Sequence, residues 1–150
     1  MIPLKLIENF CEQNPEFELI RTSSFISPRG GYNSYYLTYK YPSIVLDYLN
    51  PKSIGYYLGK EVHSHIVSSF STRPFGDPIN LTETEVVDLV NVNVSFDYAL
   101  DYGLEDKEII PTTSLDEFNK AVSLFKKNMT EFVMQLKKMN IKSASREYEV

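Results

Sequence analysis

Tryptophan is absent from the 150 residues, and cysteine occurs once, at Cys11. A single thiol forms no intrachain disulfide. That excludes a disulfide-stapled secreted scaffold and points to a reducing, cytoplasmic setting. No apolar run approaches the roughly 20 residues that a membrane helix needs. The first fourteen residues mix Lys5 with Glu8 and Glu12 and interrupt their apolar positions, so they do not read as a signal peptide. Signatures of common chemistry are also missing. There is no Gly-x-Ser-x-Gly elbow. Pro28-Arg29-Gly30-Gly31 lacks the lysine and helix of a phosphate-binding loop and reads as a turn. Without tryptophan, a sugar has no indole to stack on. No cofactor is expected.

What is present is globular: 43% hydrophobic and 23% charged residues exclude disorder along the whole chain. One domain over residues 1–140 is expected, with a frayed tail at 141–150. The net charge of -5 is unevenly placed. Between Asp77 and Glu117 stand 11 carboxylates against the single Lys107, while lysines gather after residue 119. Such a field repels nucleic acid and attracts basic partners.

Periodicity supplies the elements. Leu4, Ile7, Phe10 and Cys11 fall on one face of a helix over 3–14, with Pro3 at its first position and Asn14-Pro15 ending it. Residues 17–27 and 32–41 read as a hairpin of β-branched and aromatic strands. A buried strand is expected over Ile44–Leu49, and further strands over 54–70 with a tip at Gly59-Lys60. The four-residue recurrence of Ile54, Leu58, Val62, Ile66 and Phe70 leaves a helix behind Asn50-Pro51 as the alternative there. Residues 71–81 read as a loop. Val90 to Tyr102 alternates apolar and polar residues without a break, which predicts one long strand with Asn91, Asn93, Ser95, Asp97 and Asp101 on a wet face. Residues 103–113 read as an acidic loop, with a short strand at Ile109-Ile110. From Leu115 to Met139 apolar residues recur at steps of three and four behind a Ser114–Glu117 capping box, predicting a helix of about 25 residues. The class expected is α+β: an antiparallel sheet of about 5–6 strands with a short N-terminal and a long C-terminal helix on one face.

Three constellations bear on function. Glu61, His63 and His65 would share one strand face and could hold a metal ion in a small metal-dependent enzyme. Eleven tyrosines, six of them between Tyr32 and Tyr48, suit an interface because the ring buries area and keeps a polar tip. Asp97, Asp101, Glu105, Asp106 and Glu108 form a carboxylate cluster with few local counter-charges. Together with Tyr36, which falls opposite Tyr35 and Tyr39, they are the expected partner-binding residues. No catalytic set emerges. The sequence therefore reads as a non-catalytic protein-binding protein, a bacterial immunity or inhibitor protein that neutralises a basic, nuclease-like toxin. A secretion chaperone for an effector is the alternative within that class. A monomer is expected rather than a homodimer.

Overall fold

The computed structural model describes residues 1–27, 30–48, 56–57, 60–61, 64–74, 85–95 and 108–147. Strand β1 (Ile2–Pro3) leads into helix α1 (Leu4–Gln13), then β2 (Phe17–Ser27) and β3 (Gly30–Lys40). Helix α2 (Ser43–Tyr48) follows, then the short strands β4 (Tyr56–Tyr57) and β5 (Lys60–Glu61), and the long β6 (Ser64–Pro74). The chain continues through β7 (Glu85–Val87), β8 (Val90–Asn93) and β9 (Ile109–Thr112) into α3 (Leu115–Glu147). The fold is α+β, as the sequence pattern predicts. All pairings are antiparallel. The seven-stranded sheet runs β1-β7-β6-β3-β2, with β8 beside β6 and β9 beside β8; β4 and β5 pair separately. Among the described residues no helix is long and apolar enough to cross a membrane.

Helix α3 covers one face of this sheet. Phe118, Val122, Phe125, Met129, Phe132 and Leu136 are all buried, against Leu37, Val67, Val90, Val92 and Val94. The three-and-four spacing thus marks a core stripe. A T-shaped aromatic chain joins the layers: Phe10–Phe118 at 5.4 Å, Phe17–Tyr39 at 5.0 Å and Tyr39–Phe125 at 5.2 Å. Lys126 ties α3 to the α1–β2 corner, donating to Asn14 Oδ1 at 3.0 Å and pairing with Glu16 at 3.1 Å. The helix extends to Glu147, past the point where the sequence suggests fraying.

The start of α3 shows how a local motif is realised. Ser114 Oγ accepts the Glu117 N–H at 3.2 Å, while the Glu117 carboxylate accepts from the Thr113 N–H at 2.8 Å. That backbone bond holds the Glu117 carboxyl below its ordinary pKa. A depressed carboxylate contributes stability above its unfolded pKa and loses it as pH falls through the folded value. Ser114→Ala should therefore cost about 1 kcal/mol in denaturant unfolding. The contribution of Glu117 should fade as pH falls below the usual glutamate range.

Several expectations are corrected. Residues 44–48 are not a strand but part of a helix, and Leu49 lies outside the described residues. The N–H groups of Val45 and Leu46 both bond to Pro42 O, starting the turn that becomes α2. A short apolar run has no periodicity to separate the two structures. Pro3 lies just before the helix, in extended backbone, as part of the β1–β7 pairing. Strand β6 runs on to Pro74 through part of the expected loop. The β4–β5 register pairs Tyr57 with Lys60, so Lys60 belongs to the strand and not to the tip.

Of the alternating stretch, β8 takes Val90–Asn93, residues 94–95 carry no strand assignment, and 96–102 lie outside the described residues. Asn93 Oδ1 accepts the N–H of Ser95, two residues on, at 3.1 Å, and the Ser95 hydroxyl at 3.1 Å. An asparagine that bonds its own chain in this way offers the backbone an alternative to the ladder. Asn93 is 1% exposed, not on a wet face.

Candidate functional site

With α3 and α1 on one side, the other side of β2, β3 and β6 is open among the described residues. Register defines its rows. Glu18, Thr38 and Ile66 lie side by side; next come Ile20, Tyr36 and Ser69; then Ser23, Ser34 and Ser71; then Phe25 and Tyr32. A bulge at Thr22 brings Ser23 onto this face, and one at Val67 keeps Ile66 on it. Ile20, Ser23, Ser69 and Ser71 are exposed, and Tyr36 and Ser34 half-buried. Ser34 and Ser71 share a hydroxyl contact at 3.2 Å. The Phe25 and Tyr32 rings stack at 5.4 Å while remaining 51% and 45% exposed. The two middle rows carry no charge.

Tyr32 also borders a shallow depression of about 460 Å³, together with Ser71, Thr72, Arg73, Asp88 and Leu89. Arg73 grips Asp88 with a two-pronged fork, Nε to Oδ2 at 2.7 Å and Nη2 to Oδ1 at 2.8 Å. That hydrogen bond holds the Asp88 carboxyl below its ordinary pKa. Leu89 is exposed on the rim. The depression thus has apolar walls and a fixed, net-neutral polar pair.

Among the buried polar residues, Glu85 and His65 are each the centre of a cluster. Glu85, only 6% exposed, accepts from Asn33 Nδ2 at 2.6 Å, from the Tyr35 hydroxyl at 3.0 Å and from the Thr72 hydroxyl at 2.6 Å. Burial, and then the bond to Glu85 and its charge, push the Tyr35 phenol well above its ordinary pKa, so it stays a neutral donor. Sequence reasoning missed this cluster, because Glu85 counts as one more acid in an acidic stretch. The available signal was its place immediately before Val86-Val87.

The second group is His65. Its ring stacks on Phe125 at 5.4 Å with planes 20° apart. Asn93 spends its Oδ1 on the Ser95 N–H, so its amide nitrogen is what meets His65 Nε2, at 3.4 Å. Facing an amide donor, Nε2 is the acceptor of this contact. His65 is a core residue.

Of the expected partner-binding residues, Tyr36 lies on the open face. Glu108 is exposed, and its backbone is fixed: its N–H donates to Ser95 Oγ at 3.2 Å and its carbonyl accepts from Val94 N–H at 3.0 Å. Asp97, Asp101, Glu105 and Asp106 lie outside the described residues, as do His63 and the sequence stretch that continues the alternation. Among the described residues no group of three or more His, Cys, Asp or Glu side chains could hold a metal ion. Burial, with the Glu8 and Glu18 charges adding to it, pushes the Cys11 thiol up to about 11, so it stays protonated at neutral pH.

Comparisons with protein-family models, with curated proteins and with solved structures find no match for this chain.

Proposed function

We propose that this chain is a non-catalytic protein-binding protein of the immunity or inhibitor type, with the open face of β2, β3 and β6 as its contact surface and a basic, nuclease-like protein as its partner. The observation that carries the reading is the make-up of that face. Tyrosine, phenylalanine and isoleucine stand among small hydroxyl residues on a rigid sheet. This is the chemistry of recognition surfaces, where aromatic rings supply contact area at low entropic cost and serines adapt their hydrogen bonds. The adjoining depression, walled by Tyr32 and Leu89, suits one apolar anchor side chain of the partner. The acidic excess of the chain supplies steering toward a basic protein.

The test uses the product of the neighbouring gene as the candidate toxin. Calorimetric titration should give a stoichiometric complex that weakens steeply with added salt. Tyr36→Ala should weaken it tenfold or more, equivalent to about 1.4 kcal/mol, with the fold retained by circular dichroism. The double change Asp97→Ala, Asp101→Ala should do the same if the acidic stretch adds to the contact. Salt-independent binding, or indifference to Tyr36→Ala, would refute this surface.

A further inference from the structure

We draw no further inference here: the strongest candidate, the shallow depression beside the open sheet face where the Arg73–Asp88 pair lies between Tyr32 and Leu89, belongs to the contact surface already described, and its net-neutral pair singles out no further ligand.

Discussion

Phe125→Ala should lower the free energy of unfolding by about 3–5 kcal/mol. A typical small domain holds only about 5–15 kcal/mol. The ring is 0% exposed and sits where three elements meet. Tyr39 of β3 and Phe17 of β2 approach it edge-on, at centroid distances of 5.2 and 6.2 Å, and His65 of β6 stacks on it at 5.4 Å. Truncation removes both the transfer free energy of the ring and the contacts of those three neighbours, which cannot all collapse into the space. Phe125→Leu keeps much of the volume and should lose clearly less. Urea unfolding with a two-state fit measures both. A loss of under about 1 kcal/mol for the alanine variant would mean that the layer contact between α3 and the sheet is not the core of the domain.

The second large effect belongs to Glu85. Glu85→Ala leaves Asn33 and Tyr35 facing an apolar gap, each with a buried donor, while the Thr72 hydroxyl keeps the Asn33 carbonyl at 3.3 Å. An unsatisfied buried donor costs about 1–3 kcal/mol, so the combined loss should be about 3 kcal/mol or more. Glu85→Gln keeps an oxygen for the two hydroxyls and turns an amide toward Asn33, which can rotate its own amide to match. That variant should cost less than half as much. Tyr35→Phe removes one donor and should be milder still. Its effect should shrink further in the Glu85→Ala background, since the two groups are coupled. Chemical denaturation of the four proteins completes the cycle, and simple additivity would mean that the carboxylate does not organise the cluster.

The elements that read correctly from sequence are those whose pattern repeats. Helix α3 offers seven apolar steps in register with a helical turn, and the β2–β3 hairpin offers two long β-branched and aromatic runs around a turn. Failures fall where a few polar atoms outvote a pattern. The apolar run at 44–49 is too short to show a period, and the Pro42 carbonyl decides it. The alternation from Val90 places Asn93 on a wet face, but Asn93 turns its side chain onto its own backbone and becomes a core residue bridging Ser95 and His65. Glu85 was hidden for a related reason. A carboxylate solvated on the surface and one caged by Asn33, Tyr35 and Thr72 are the same letter. Their difference comes from residues 13 to 52 positions away. Tyr36 was legible as an outward residue, because strand alternation fixes its face once Tyr35 and Tyr39 point inward. The open face around it was not legible, since it depends on bulges in both β2 and β6.

The bonds joining Ser95 and Val94 to Glu108 have a consequence for how this chain can change. They hold Val94 and Ser95 beside Glu108, thirteen or fourteen positions further along the chain. The free energy of closing a connection grows only with the logarithm of its length, about 0.6 kcal/mol for each doubling. With Asn93, Ser95, Glu108 and the β8–β9 ladder holding those two ends, lengthening the sequence between positions 96 and 107 should leave the stability of the scaffold nearly unchanged, which denaturant unfolding of an insertion variant measures.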